Sequence, residues 1–356
     1  MHRVHEIACL RQSVSAFRVP SCPRRPMTNK SSLLSVLPLL QSRRILVLGD
    51  VMLDIFDFCR SAESKAIDSE KPGKRAYTAH ESVQLLGGAG NVATNLVTLG
   101  AQATLVGLIG NDGHGHTVRA LCAESGLVHD LARDPQRPTT TKTRLYIDEE
   151  YILRKDHEST ADAPPDMTSQ VLEAMIKHVE SGVDAVILSD YNKGLFTQEI
   201  AHKIVHLCRT SGLPTVVDFK PANRSHFFGA SLLVPNESEA DALLPGFKGS
   251  DNLADSCQKL RAALGAESVV VTLGARGICG LSDSTGFFHH AGHKVKPVDA
   301  VGCGDTVRAM LALGLAAKLN LRQAAALANH AAAVIVQKPA TATLTLAELE
   351  DFIRNS

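Results

Sequence analysis

The sequence predicts an α/β protein with a doubly wound, mostly parallel sheet and a small β lid. Short apolar runs alternate with helical patterns along most of the chain, which is typical of parallel sheets. Most of these runs end in an acidic, amide or glycine residue. One charged stretch, residues 56–84, interrupts the alternation and predicts the lid. The length of 356 residues and the 44% apolar content suit one large α/β unit.

Composition narrows the possible partners and the cellular compartment. Lys and Arg together number 37, as do Asp and Glu, so a nucleic-acid partner is not expected. Apolar runs fall well short of the ~20 residues that a membrane-spanning helix needs. The eight cysteines form no C-x-x-C pair, which favours a reducing cytoplasm over disulfides or a zinc site.

Residues 1–40 are expected to form an N-terminal extension, with the folded domain covering residues 41–356. Residues 1–30 are rich in arginine and contain one acidic residue, Glu6. That pattern is typical of a transit peptide. A start site placed too early, with Met27 as the working start, is the favoured explanation. Either way, the extension is expected to be disordered or not translated.

The first strand and the lid follow the extension. Residues 45–50 form a continuous apolar run that ends at Gly49 and Asp50, as in a buried parallel strand. Asp54 comes four residues later. The segment 71–74 reads Lys-Pro-Gly-Lys, and a central strand would not tolerate this proline. We therefore expect edge strands here, in a lid or an interface flap.

The middle of the chain continues with a helix, a strand and a polar segment. Glycines at 87, 88 and 90 open a helix that ends at Gly100, and residues 103–110 form a strand. The Thr-rich segment 137–156 is β-prone and brings Lys142, Arg144 and Arg154 into one neighbourhood. We expect it to form polar strands.

The second half alternates regularly. Helices are expected at 167–180 and 197–211, and strands at 184–190, 214–220, 231–235 and 268–273. In doubly wound sheets, ligands bind outside the carboxyl ends of the strands. The polar or glycine residues expected at that edge are Asp50, Asp190, Asp218, Asn236 and Gly274.

The stretch from Asp299 to Leu315 is the main candidate for catalysis. Gly302, Cys303 and Gly304 precede Asp305, after which the chain becomes helical. Backbone N–H groups at such a helix start attract an anion. A carboxylate would repel that anion, so Asp305 fits better as a proton acceptor beside a charge-stabilising site. The alternative is a glycine-containing turn with aspartate as a helix cap.

Three further motifs have two interpretations each. Residues 88–93 match G-x-G-x-x-A, the fingerprint of a nicotinamide-dependent dehydrogenase, but no buried strand precedes them. Residues 236–239 (Asn-Glu-Ser-Glu) suit hydrated Mg²⁺ beside nucleotide phosphates, or simply a helix cap. Residues 272–277 suit close approach to a nucleotide, or a β-turn. No Walker P-loop occurs, so phosphoryl transfer would depend on residues 302–305.

Four motifs occur in a characteristic order: G-G-x-x-N from Gly87, N-x-x-E from Asn236, G-x-x-G from Gly274 and D-x-x-G-x-G-D from Asp299. Together they resemble the ribokinase-like carbohydrate kinases of the phosphofructokinase B type, from about residue 43 to the end. More narrowly, R-P-T-T-T-K-T-R, S-D-Y-x-K-G and T-A-T-L-T are similar to segments of the heptose 7-phosphate kinases.

The resemblance implies an activity. It is ATP-dependent phosphorylation of D-glycero-β-D-manno-heptose 7-phosphate at the anomeric hydroxyl, giving the 1,7-bisphosphate for ADP-heptose and lipopolysaccharide synthesis. Mg²⁺ is the implied metal, K⁺ a further one, and a homodimer through the lid the implied assembly. The alternatives are a kinase of this fold for another sugar, a silent sugar-binding homologue and a dehydrogenase.

The resemblance also implies a role for each motif residue. Asp305 is the base, and the N–H groups of Gly302, Cys303 and Gly304 form the anion hole. The residues implied for ATP are Asn236, Glu237, Ser238, Glu239, Thr272, Gly274 and Gly277, with Glu239 binding Mg²⁺ through water. The residues implied for the sugar hydroxyls are Asp54, Gly88 and Asn91. The residues implied for phosphates are Arg144, Lys193 and Lys220, and those for K⁺ are Asp299 and Val301. Cys303 departs from the alanine usual in the family.

Overall fold

The structure, a computed structural model, describes residues 29–339 and 342–356. Its strands are β1 Arg44–Cys59, β2 Lys65–Ala66, β3 Arg75–Ala76, β4 Ala79–Gly88, β5 Gln102–Gly110, β6 Val128–Asp134, β7 Thr140–Ile147, β8 Glu150–His157, β9 Ala185–Ser189, β10 Thr215–Asp218, β11 Leu232–Leu233, β12 Ser268–Thr272, β13 Ile278–Ser282 and β14 Gly286–His290. Its helices are α1 Lys30–Val36, α2 Ala89–Thr98, α3 Gly113–Glu124, α4 Pro165–Glu180, α5 Gln198–Thr210, α6 Glu237–Leu243, α7 Leu253–Leu264, α8 Cys303–Ala316, α9 Leu321–Ile335 and α10 Leu346–Asn355.

The central sheet is mostly parallel and has helices on both faces. Its order is β14-β13-β12-β11-β10-β9-β1-β5-β6, and β13 pairs antiparallel with both of its neighbours at one end. Along β1, Ile45 and Val47 pack against the face covered by α1, α2 and α8–α10. Leu46 and Leu48 pack against the opposite face, covered by α4–α7. Because side chains of a strand alternate between faces, burial on both sides explains the unbroken apolar run. The predicted fold class is confirmed.

The lid is continuous with the central sheet, because β1 belongs to both. Beyond Val51 this strand pairs antiparallel with β4, starting opposite Gly88, and parallel with β7, starting with Met52 opposite Thr140. β8 pairs antiparallel with β7 and completes the lid in the order β4-β1-β7-β8. β1 extends to Cys59, so the excursion starts within a strand. Pro72 lies between the short paired strands β2 and β3.

The N-terminal boundary lies earlier than the sequence predicted. Residues 30–40, expected to belong to the extension, form α1 and a short 3₁₀ turn. Leu33, Leu37 and Leu40 are all buried in the core face shared with α9 and α10. Their spacing places them on one side of a helix, which explains the packing. The predictions for residues 1–28 lie outside the described residues, and the division of the chain into domains stays a prediction.

No helix among the described residues is long and apolar enough to cross a membrane.

Buried acids collect at the carboxyl edge of the central sheet. Asp50 accepts hydrogen bonds from the backbone N–H groups of Tyr191 (2.7 Å) and Lys193 (3.2 Å), which anchors the loop after β9. Burial, and secondly the charge of Asp190, raises the pKa of Asp50 to about 7. Burial also raises the pKa of Asp190. Burial is therefore the main reason that Asp50 resists ionisation, and the charge of Asp190 adds to it.

Replacing Asp50 by asparagine is expected to change how stability depends on pH. In the unfolded chain Asp50 ionises near its ordinary pKa of 3.8, whereas in the folded chain it holds its proton up to about pH 7. The wild type therefore loses stability as pH rises through that window. Asp50→Asn lacks this loss. The melting temperature of the variant minus that of the wild type should therefore increase by about 2–5 °C between pH 5 and pH 8. A constant difference across that range would contradict the raised pKa of Asp50.

Candidate active site

The start of α8 has the geometry of an anion site. Gly302 is the N-cap residue, with φ +80°, a left-handed conformation that a side chain would strain. The N–H groups of the first turn have no partners within the helix, and the helix dipole adds positive potential there. Cys303 N–H makes a long 3.3 Å contact with Ala300 O, which leaves it poorly satisfied. A bound anion would accept hydrogen bonds from these N–H groups.

Asp305 lies in the first turn of α8 and is held by side chains from two other elements. Its Oδ2 accepts a 2.6 Å hydrogen bond from Asn91 Nδ2 in α2, and its Oδ1 accepts a 2.9 Å bond from the Tyr191 hydroxyl. Only 7% of Asp305 is exposed, and this burial raises its pKa. Tyr191 was not assigned a role from the sequence, although the S-D-Y-x-K-G motif contains it.

Arg308 follows one helical turn after Asp305 and contacts the same carboxylate. Its Nη1 lies 3.3 Å from Asp305 Oδ1, and its Nη2 lies 2.7 Å from Asp218 Oδ1 at the end of β10. Burial raises the pKa of Asp218 to about 6, although the Arg308 charge opposes this. Sequence reasoning missed Arg308, but one signal pointed to it: positions i and i+3 share a helix face.

A second charged pair lies within the lid. Asp54 of β1 and Arg144 of β7 are both buried and form a 2.7 Å salt bridge. The Arg144 guanidinium also lies over the Phe56 ring, 5.0 Å from its centroid. A Cβ on Gly87 would lie 2.4 Å from Asp54 Oδ2, so the chain there approaches the carboxylate closely. Gly88, with φ +56°, then turns the chain into α2 and Asn91.

The two candidate lysines each have a carboxylate partner. Lys193 forms a 2.7 Å salt bridge with Glu158, and Lys220 a 2.8 Å bridge with Glu239. Lys220 also lies 5.3 Å from the centroid of the Tyr191 ring, near the base. These side chains are partly solvated, so the pairing is weak enough for an incoming phosphate to compete for the ammonium groups.

A pocket of about 450 Å³ opens beside the start of α8. Its volume lies in the usual range for small-molecule sites. Its walls are mostly apolar, and five predicted residues line it: Thr272, Gly274, Gly277, Cys303 and Gly304. Val295, Val336 and Ala332 belong to the apolar part of the wall. The loop after β12 and the anion site are therefore parts of one cavity.

Residues 236–239 form a helix cap next to this cavity. Asn236 Oδ1 accepts from Glu239 N (2.9 Å) and Glu239 Oε2 accepts from Asn236 N (3.0 Å), which is a complete capping box. A parallel bridge places Asn236 beside Thr272. Glu237 pairs with Arg276 of the glycine loop, and Ser238 is exposed. The geometry of residues 236–239 is therefore that of a helix cap. The motif nevertheless lies beside the loop that lines the cavity.

The predicted metal sites are only partly supported by geometry. Within residues 29–339 and 342–356, no group of three or more His, Cys, Asp or Glu side chains is arranged to hold an ion. Both oxygens of Glu239 already have partners, so contact through water suits it better than direct ligation. Asp299 Oδ1 accepts from Val301 N at 2.9 Å, which orders the loop before α8.

The dinucleotide fingerprint at residues 88–93 lacks its required context. The strand before it, β4, is an antiparallel lid strand rather than a parallel strand of the central sheet. Its helix α2 directs Asn91 toward Asp305. A dinucleotide site needs the β-α-β unit that presents the helix start to a pyrophosphate. In this structure the motif therefore places Asn91 beside Asp305 and does not form a dinucleotide site.

Comparison with known proteins agrees with this arrangement. The sequence model described as pfkB family carbohydrate kinase matches residues 42–348. D-beta-D-heptose 7-phosphate kinase of Bordetella bronchiseptica is 36% identical over 310 residues, which is 86% of this chain and 95% of that protein. Bifunctional protein HldE of Bradyrhizobium diazoefficiens is 35% identical over 315 residues, 87% of this chain and 63% of that protein. The chain thus spans somewhat less than two thirds of the bifunctional relatives it matches.

Solved structures give the same fold. Phosphofructokinase-2 from Escherichia coli, in complex with potassium, superposes with a TM-score of 0.72 at 19% identity and covers 88% of this chain and 99% of its own. Ribokinase from Thermotoga maritima gives a TM-score of 0.65 at 22% identity, covering 88% and 100%. With a family match over most of its length, and a buried aspartate at a glycine-rich helix start, the chain belongs to the pfkB family of carbohydrate kinases.

Proposed function

We propose that this kinase transfers the γ-phosphoryl group of ATP to the anomeric hydroxyl of D-glycero-β-D-manno-heptose 7-phosphate. The position of Asp305 carries the proposal. This carboxylate lies between Asn91 on the lid side and the start of α8, which opens into the 450 Å³ pocket. A base at that point can serve a sugar on one side and a nucleotide on the other.

In the proposed reaction, Asp305 takes the proton of the anomeric hydroxyl. The hydroxyl oxygen bonds to the γ-phosphorus, and the bond between that phosphorus and the bridging β–γ oxygen breaks, which releases ADP. The donors at Gly302, Cys303 and Gly304 stabilise the charge on the transferring group. Burial strengthens this effect, since charges interact more strongly away from bulk water.

The remaining residues bind and align the two substrates. Thr272, Gly274 and Gly277 contact the nucleotide, with Asn236, Glu237, Ser238 and Glu239 beside its phosphates. Mg²⁺, held through water by Glu239, would neutralise phosphate charge during transfer. Asp54, Gly88 and Asn91 bind sugar hydroxyls.

Arg144, Lys193 and Lys220 bind the phosphate that the sugar already carries or those of ATP. Their carboxylate partners, Asp54, Glu158 and Glu239, hold them in place until an anion arrives. These three cations would favour a phosphorylated sugar over a neutral one once a phosphate replaces their carboxylate partners. The relatives support the heptose as substrate, because the Bordetella bronchiseptica protein is a heptose 7-phosphate kinase. The product would enter ADP-heptose and lipopolysaccharide synthesis.

Three further features belong to the same proposal. The structure of phosphofructokinase-2 from Escherichia coli is a complex with potassium, which supports a K⁺ site at the loop of Asp299 and Val301. The exposed side chains of Tyr151, Ile152 and Leu153 on the lid strand β8 support a homodimer through the lid. ATP as a substrate and the free thiols of the described residues support a cytoplasmic setting.

The direct test is ATP consumption by the purified chain with a panel of sugars. Heptose 7-phosphate should support turnover at a kcat/KM at least about ten times that for ribose, fructose 6-phosphate or unphosphorylated heptose, because the cations suit a substrate phosphate and the sugar site suits the heptose hydroxyls. Asp305→Asn should lose at least about a thousand-fold in kcat while it still binds an ATP analogue by calorimetry. Turnover of this variant near the wild-type rate would remove Asp305 as the base. Faster turnover of another sugar would replace the substrate.

Cys303 should leave the anion site functional and chemically quiet. Burial raises the pKa of its thiol to about 11, so little thiolate exists at neutral pH. We expect iodoacetamide to label Cys303 at least about ten-fold more slowly than glutathione at pH 7.5, with the rate rising steeply toward pH 10. Cys303→Ala should keep activity within about three-fold, since the backbone N–H is retained. Rapid labelling at neutral pH, read by peptide mass spectrometry, would contradict this.

A further inference from the structure

Arg308 is the one buried guanidinium that touches Asp305 among the described residues. It exposes 8% of its surface and lies on the same face of α8 as the base. Its Nη2 reaches Asp218 Oδ1 at 2.7 Å, while its Nη1 lies 3.3 Å from Asp305 Oδ1. The contact to Asp305 is a hydrogen bond, whereas the shorter one to Asp218 is an ion pair without hydrogen-bond geometry, because neither Asp218 oxygen has a hydrogen-bond partner among the described residues. The guanidinium therefore neutralises Asp218 while it donates to Asp305.

The packing of α8 leaves room for this guanidinium. A Cβ on Gly304 would lie 2.7 Å from Arg308 Nη1, so the second glycine of the motif also makes space for the arginine. Both terminal nitrogens face carboxylates, and Nε has no hydrogen-bond partner among the described residues. This orientation indicates that Arg308 interacts with Asp218 and Asp305 rather than with a transferring phosphate.

Titratable groups from the surrounding elements lie around Asp305 and Arg308. Asp54 of β1 and the Tyr191 hydroxyl act on Asp305, Asp218 of β10 interacts with both Asp305 and Arg308, and Lys220 and Glu239 act on Asp218. Burial disfavours ionisation of Asp305, and so do the charges of Asp54 and Asp218. Arg308 is the largest opposing influence on the pKa of Asp305, ahead of the hydrogen bonds from Asn91 and Tyr191.

We propose that Arg308 is a positioning residue for the base: paired with the charge of Asp218, it donates to the Asp305 carboxylate and keeps it ionised and oriented for the sugar hydroxyl. Asn91 occupies one lone pair of Oδ2, while Tyr191 and Arg308 both contact Oδ1. A lone pair of Oδ2 therefore remains for the substrate proton. The inference rests on the proposed role of Asp305 as the base.

The test is the pH profile of kcat/KM for Arg308→Met, Arg308→Lys and the wild type. Without the guanidinium, Asp305 should ionise at a higher pH. Arg308→Met should lose about ten-fold or more at pH 6, since one pKa unit is ten-fold in ionised base, yet stay within about three-fold at pH 9. Its KM for ATP should change less than about three-fold. Arg308→Lys keeps a charge and should restore most of the activity at pH 6.

Two further variants keep the outcome decisive. Arg308→Met leaves Asp218 buried without its counter-charge, which threatens folding because an uncompensated buried charge is strongly destabilising. The double variant, Arg308→Met with Asp218→Asn, removes both charges. The low-pH side of its kcat/KM profile should move to higher pH, as in Arg308→Met. Arg322→Met is the matched control: this partly buried arginine of α9 donates to Phe287 O at 2.9 Å, away from the base. It should leave the low-pH side of the profile in place.

The results separate this inference from the proposed function. An unchanged low-pH side of the profile in the folded Arg308→Met and double variants, with Asp305→Asn inactive, would overturn the role of Arg308 alone. An equal loss of activity at every pH would do the same, because it indicates a purely structural role. Activity in Asp305→Asn would overturn the base itself and the inference with it.

Discussion

The whole site depends on keeping a buried carboxylate usable as a base. Asp305 must lie out of water, where the electrostatic stabilisation of a transferring phosphoryl group is strong, but burial favours its protonated form. Asn91, Tyr191 and Arg308 offset that cost with two hydrogen bonds and one positive charge. Each comes from a different part of the fold. The geometry of three elements therefore converges on one side chain.

β1 connects this convergence to the lid. Its first half is the centre of the parallel sheet, and its second half carries Asp54 into the lid beside Arg144. Asp50, between the two halves, fixes the loop that presents Tyr191. One continuous strand thus positions the sugar side, the base and the lid relative to each other.

Local patterns in the sequence were sufficient for the fold class and for much of the site. The apolar runs located the central strands, and Gly302–Asp305 marked the helix start because glycine and a first-turn aspartate are local signals. The partners of the charged residues were not predictable in this way. Lys193 with Glu158, and Tyr191 with Asp305, meet only through tertiary packing. Arg308 and the leucines of α1 were predictable from the sequence, because their helical spacing places Arg308 beside Asp305 and the leucines on one buried face.

The proposed chemistry depends on which atom of the sugar receives the phosphoryl group. Two-dimensional ¹H–³¹P correlation spectroscopy of the product from ATP, Mg²⁺ and heptose 7-phosphate tests it most directly. We expect a second phosphorus signal coupled to the anomeric proton, with the original 7-phosphate signal retained. A new phosphorus coupled to any other sugar proton, or ADP formation without a phosphorylated sugar, would contradict it.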